Sequence, residues 1–199
     1  MIHLYSEQSA MQELRRFDGE IGRICRECGL PPAYLKAVLM MELTRMDILD
    51  PLADTLVAVN WAGAPLLRPS PDSGNPLHKL DSSTGHGQIF SRVAIQAINF
   101  ARERGITTQA LSDLKEGLDP TDPEDLRLVW RRLNRDTVFN LSCAALNLLR
   151  CAWQMTGRID FDSYSPQETK LIFTRYNADV KSVTAYGEEA YSWYLRFLA

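Results

Sequence analysis

The chain is poor in several features, and each shortage excludes something. It has four cysteines among 199 residues, placed so as to exclude a disulfide framework. Cys25 and Cys28 form a C-x-x-C, but no second Cys or His pair follows at zinc-finger spacing. Cys143 and Cys151 fall on one predicted helix, roughly 12 Å apart along its axis and beyond disulfide reach. All four read as reduced, partly buried thiols, and neither a metal nor a cofactor is expected. No apolar run reaches the roughly 18 residues that span a bilayer. The N-terminus, MIHLYSEQSAMQELRR, lacks a basic start leading into an apolar segment, so no signal peptide is expected. Net charge is only −3 and the pI is about 5.7, which argues against nonspecific nucleic-acid binding. Internal repeats and low-complexity segments are also missing.

A hydrophobic fraction of 45% and a charged fraction of 24% are ordinary for a soluble globular chain, and the length suits one domain. The pattern is helical nearly throughout. A first helix is predicted over 6–28, stopped by Gly29 with Pro31 and Pro32 beyond it. A second, over 32–49, carries Glu42, and another runs over 52–61. One long irregular stretch, 62–87, gathers Pro65, Pro69, Pro71 and Pro76 with Gly63, Gly74, Gly85 and Gly87. A loop of that length points to function or disorder, and part of it is expected as a small hairpin. Helices resume over 91–104. Asp122-Pro123 reads as an N-cap followed by Pro at the first helical position. The stretch 136–155 has a sustained stripe (Val138, Leu141, Ala145, Leu148, Ala152) and is expected as the central core helix. Ser165 to Glu168 reads as a capping box, and a last helix is expected over 188–197. The resulting expectation is a mainly α single domain over 1–199. Residues 1–30 form a helical extension and 31–199 a core around the central apolar helix.

Glu42 stands out as an acid between Leu39 and Met46 on an apolar stripe with Leu35 and Leu49. Burying a carboxylate costs free energy unless it is paired or protonated. Burial raises its pKa, and an acid that keeps its proton near neutrality can protonate a leaving group. The alternative is a buried Glu that pairs with an Arg and only fixes packing.

Four features then follow in order: Glu42; the turn Ser83-Thr84-Gly85-His86-Gly87-Gln88-Ile89; the long apolar helix; and Arg175-Tyr176-Asn177 followed by Tyr186-Gly187. This order resembles the lysozyme-like superfamily, in particular soluble lytic transglycosylases and goose-type lysozymes. The resemblance spans about 35–194. It implies an α+β lysozyme-like fold with a long active-site loop or small hairpin. It also implies a peptidoglycan-cleaving glycosidase, a lytic transglycosylase or muramidase, acting on the MurNAc–GlcNAc bond. Glu42 would be the general acid/base, with Ser83, Gly85, His86, Gly87, Gln88, Tyr176 and Asn177 binding substrate. The chain departs from the family in having Glu42-Leu43 where a Glu-Ser pair is usual, a longer interval from Glu42 to the turn, and a shorter turn.

The residue types suit the chemistry, which needs a proton on the leaving oxygen and stabilisation of an oxocarbenium-like transition state. A transglycosylase needs no second carboxylate. A hydrolase does, and Asp47, Asp50, Asp54, Asp72 and Asp81 are the candidates. Gly85 and Gly87 would let backbone approach a sugar. Gln88 would bond a sugar, hold Glu42, or simply cap the next helix. Tyr176 would donate to Glu42 or to an N-acetyl carbonyl, or pack as a core aromatic. Asn177 reads equally as a left-handed helix cap, and Trp61 as a sugar platform, with Trp130, Trp153 and Trp193 in the core. The expected partner is a glycan strand, with no nucleic acid and no membrane. Without a signal peptide the protein is expected to be made in the cytoplasm and to act in the periplasm or cell wall after non-classical delivery. A phage lysin, or an antibacterial effector toxin with a cognate immunity inhibitor, fits that route. The competing functions are a non-catalytic lysozyme-like adaptor and a chitin- or chitosan-cleaving relative.

Overall fold

A computed structural model describes residues 3–67 and 81–199, without the side chains of 63–67. Among these residues the chain is mainly α, with nine α-helices and no strands. They are α1 (Glu7–Arg16), α2 (Asp18–Cys28), α3 (Pro32–Arg45), α4 (Leu49–Leu67), α5 (Ser91–Arg102), α6 (Pro123–Arg135), α7 (Thr137–Thr156), α8 (Pro166–Asn177) and α9 (Ala185–Leu198). No helix among them is long and apolar enough to cross a membrane.

Two helices form the centre. Every residue of α7 from Phe139 to Leu149 is buried, as expected for a helix apolar on all sides. It starts on Asp136, whose carboxylate accepts from Phe139 N–H at 3.0 Å, and ends on Gly157 in the left-handed conformation. The second is α3, which begins with Pro32 at its first position and buries Leu35 and the run Ala37–Met41. Helices α5 and α8 pack on α7, α9 packs on α3 and α8, and α1 and α2 close the far side against α3 and α7.

Several local signals hold. The capping box at Ser165 and Glu168 forms, Asp122 caps α6, and Gly29 ends α2 with φ +70°. All four cysteines are free and buried. Burial pushes the Cys25 thiol up to about 12 and the Cys28 thiol up to about 11, which leaves the C-x-x-C unreactive.

Other boundaries move. The first predicted helix breaks at Phe17, whose backbone N–H turns back to Leu14 O at 3.1 Å. The Glu42 helix stops at Arg45. Met46 is therefore its cap, and Leu49, 60% exposed, opens α4 instead of extending the stripe. Helix α4 runs six residues past Trp61, into what reads as loop. Among the described residues of the irregular stretch and its exit, strand pairing is one antiparallel bridge between Thr84 and Ile89. The prolines at 69, 71 and 76 and Asp72 lie outside the described residues. Trp61, Trp130 and Trp193 are buried, whereas Trp153 is 42% exposed with Arg104 over its ring at 4.5 Å.

Candidate active site

A cavity of about 590 Å³ lies where α3, α5, α7 and α8 meet the 83–90 turn. Glu42, Ser83, Gln88, Tyr176 and Asn177 line it, so five of the eight residues singled out from sequence converge there.

Glu42 is partly exposed, yet protein crowds its carboxyl group and desolvates it. It sits one turn from the C-terminal end of α3, where the helix dipole disfavours negative charge. Burial pushes its carboxyl up to about 7, against the opposing hydrogen bond of Tyr186 and charge of Arg45, while Asp50 pushes the same way. Tyr186 Oη donates to Glu42 Oε1 at 2.5 Å. Burial and the adjacent carboxylate raise the phenol well above its ordinary value, so it stays a donor. No cation forms an ion pair with Glu42 among the described residues. Arg45 instead pairs with Glu189 at 2.8 Å and lies 4.9 Å over the Tyr186 ring. The packing-only alternative calls for an Arg partner for Glu42, and none occurs among the described residues.

Tyr186 comes from α9, and Gly187 is what admits that helix. A Cβ at Gly187 would stand 2.2 Å from Thr174 Oγ1 and 2.5 Å from Lys170 O, both on α8. The Tyr-Gly pair thus brings the donor to Glu42 through close helix packing.

The turn is anchored to α7. Asn140, fully buried, donates from Nδ2 to Thr84 O at 2.8 Å and accepts from Gly87 N–H at 2.8 Å. Gly85 has φ +69°, and a Cβ there would stand 2.2 Å from Asn140 Nδ2. The backbone at Gly85 and Gly87 approaches α7 closely. Tyr176 packs against the core, one of the two readings left open for it. Its hydroxyl donates to Gly87 O at 2.8 Å and so holds the turn rather than Glu42. Gln88, at φ +41°, donates from Nε2 to Gly85 O at 2.9 Å, so it neither holds Glu42 nor caps α5. That capping falls to Asp81, which accepts from Ser91 and Arg92 N–H at 2.8 and 3.1 Å. His86, expected to bind substrate, lies outside the cavity. It faces α1, with Nε2 3.1 Å from Glu13 Oε1 and its ring edge-on to Phe17. Asn177 is the last residue of α8 and is not left-handed.

The second-carboxylate candidates separate by their bonds. Asp54 accepts from Ser82, Thr84 and Asn134 at 2.6, 2.7 and 3.0 Å. Asp81 caps α5, and Asp47 caps Leu49 N–H at 2.7 Å. Of the candidates among the described residues, only Asp50 lines the cavity, with Oδ2 accepting from Asp47 N–H at 2.8 Å. Sequence reasoning did not select Tyr186, Asn140, Gln96 or Arg150, although Tyr186 stood inside a motif it noticed. No cluster of metal-ligating side chains occurs among the described residues. The chain matches no family model, no curated protein and no solved structure.

Proposed function

We propose that this cavity cleaves the glycan strand of peptidoglycan, with Glu42 as general acid and base. One observation carries the reading: a carboxyl held near pKa 7 in a polar cavity, with no cation paired to it among the described residues and one oxygen fixed by a phenol. Tyr186 occupies Oε1 as acceptor, so the proton of neutral Glu42 resides on Oε2, which bonds to no described residue. That proton goes to the glycosidic oxygen as the C–O bond breaks. The residue's pKa matches operation near neutral pH.

The reaction we favour is lytic transglycosylation. After protonating the leaving oxygen, the Glu42 carboxylate takes the proton of the muramic hydroxymethyl as that oxygen closes on the anomeric carbon. The engagement of Asp47, Asp54 and Asp81 in capping and turn bonds supports a single-carboxylate route. Among the described candidates, Asp50 is the group a hydrolytic route would use.

Digestion of purified sacculi by wild type and Glu42→Gln, with soluble products read by mass spectrometry, tests this. Anhydro-muropeptides from wild type alone are expected. Reducing-end muropeptides would move the assignment to hydrolysis, with Asp50 the first of the described carboxylates to test. Equal release by both proteins, or none by either, would remove Glu42 from the chemistry.

A further inference from the structure

Three arginines line the cavity, and two are neutralised: Arg45 pairs with Glu189, and Arg175 with Asp179. Arg150 pairs with no carboxylate among the described residues. Its guanidinium is held by neutral oxygens alone. Nη2 donates to Gln96 Oε1 at 2.7 Å, and Nη1 to Asn147 Oδ1 at 3.4 Å. The side chain is partly buried on α7, and burial lowers its pKa, with the like charge of Arg175 pushing the same way.

A desolvated charge with no counterion is costly, and two amide oxygens return only part of its hydration. Asn147 is itself 2% exposed. One acceptor comes from α5 and the other from α7, so two core helices fix the orientation of the fork. A guanidinium has five N–H donors, of which Gln96 and Asn147 engage two. The planar fork matches a carboxylate in geometry and sign. We infer that Arg150, cradled by Gln96 and Asn147, is the subsite for a carboxylate carried by the bound glycan.

This inference rests on the glycan-cleaving reading and narrows its substrate. Chitin and chitosan carry no carboxylate. Muramyl strands do, either on the lactyl group of a peptide-free strand or on the peptide stem. Arg150 thus selects muramyl glycans over neutral or cationic ones.

Binding separates this subsite from catalysis. Three tetrasaccharides are titrated against Glu42→Gln: a peptide-free GlcNAc–MurNAc strand, the same strand with peptide stems, and chitotetraose. The double variants Glu42→Gln/Arg150→Gln and Glu42→Gln/Arg150→Lys are run alongside, with thermal melts to confirm folding. Losing a charge-assisted pair is expected to weaken muramyl binding about 10- to 100-fold and collapse the preference over chitotetraose. The Lys variant keeps the charge without the fork. It is expected to retain part of the preference, and it carries the comparison if the Gln variant melts early. Loss confined to the stem-bearing ligand assigns the peptide carboxylate; loss confined to the peptide-free ligand assigns the lactyl carboxylate; loss on both means that either carboxylate reaches the fork. Equal weakening toward all three ligands, or no binding to any, overturns the inference. An Arg150-dependent preference in a protein that leaves sacculi uncut would keep the subsite and reject the glycosidase reading.

Discussion

Glu42 and Asp54 are both partly buried acids, on the consecutive helices α3 and α4, and burial raises the pKa of each. They differ in what meets the charge. Asp54 receives three hydrogen bonds from Ser82, Thr84 and Asn134 and ties α4 to the turn and to α6. Glu42 receives one, from Tyr186, and opens on a cavity. A carboxylate with its acceptor sites filled is a structural joint. One left with a free oxygen, a single donor and no ion pair retains a proton to give. Burial alone therefore does not mark a catalytic acid; the number of donors converging on it does.

The largest expected effect separates the two directly. Glu42→Gln should lower glycan release about 10²- to 10⁴-fold, the usual range for losing general acid–base catalysis. Asp54→Asn should leave a measurable rate but lower stability by about 1–3 kcal/mol, since it replaces one accepting oxygen by an NH2 donor that faces other donors. Urea melts beside initial rates check both. Equal rate losses would dissolve the distinction.

Next in size is Asn140→Ala. It removes the partner of Thr84 O and Gly87 N–H in a buried site, so a loss of about 3 kcal/mol is expected. Activity should fall with it as the turn shifts Gln88 and Ser83. A fully stable variant would show that the turn holds its shape without α7.

Glu42 also leaves a mark on stability against pH. Its folded pKa, about 7, exceeds the ordinary 4.5, so the native state binds the extra proton between those values. The stability from that proton is complete below about pH 4.5 and lost as pH rises through about 7, a fall of about 3 kcal/mol at most. Glu42→Gln should flatten that window and be more stable than wild type at pH 8. Chemical melts from pH 5 to 8 read this. The smallest effect is on the rate profile: wild-type activity should decline as pH rises through about 7. Tyr186→Phe removes the bond that lowers the Glu42 pKa, so it should move that limb upward while reducing turnover about tenfold.

What could be read from sequence follows the range of the interactions. Caps at Ser165, Asp122 and Gly29 act within a few residues, so composition alone places them. The break at Phe17 precedes Asp18-Gly19, a turn signal masked by the helical periodicity on either side of it. Glu42 was legible because a lone acid in an apolar stretch is a local anomaly. Its donor was not, because Tyr186 lies 144 positions away and reaches it only through the α8–α9 approach that Gly187 permits. The contact that Gly85 and Gly87 make with α7 was not legible for the same reason. A glycine signals close approach, but the partner, Asn140, is 53 positions from Gly87 and belongs to the protein rather than a ligand.

The most direct test is the titration of Glu42 itself, followed by ¹³C NMR of the side-chain carboxyl and assigned by difference against Glu42→Gln. A midpoint near 7 that moves higher in Tyr186→Phe is predicted. A midpoint at or below the ordinary 4.5 would mean the carboxyl is ionised at neutral pH and would contradict its role as a proton donor.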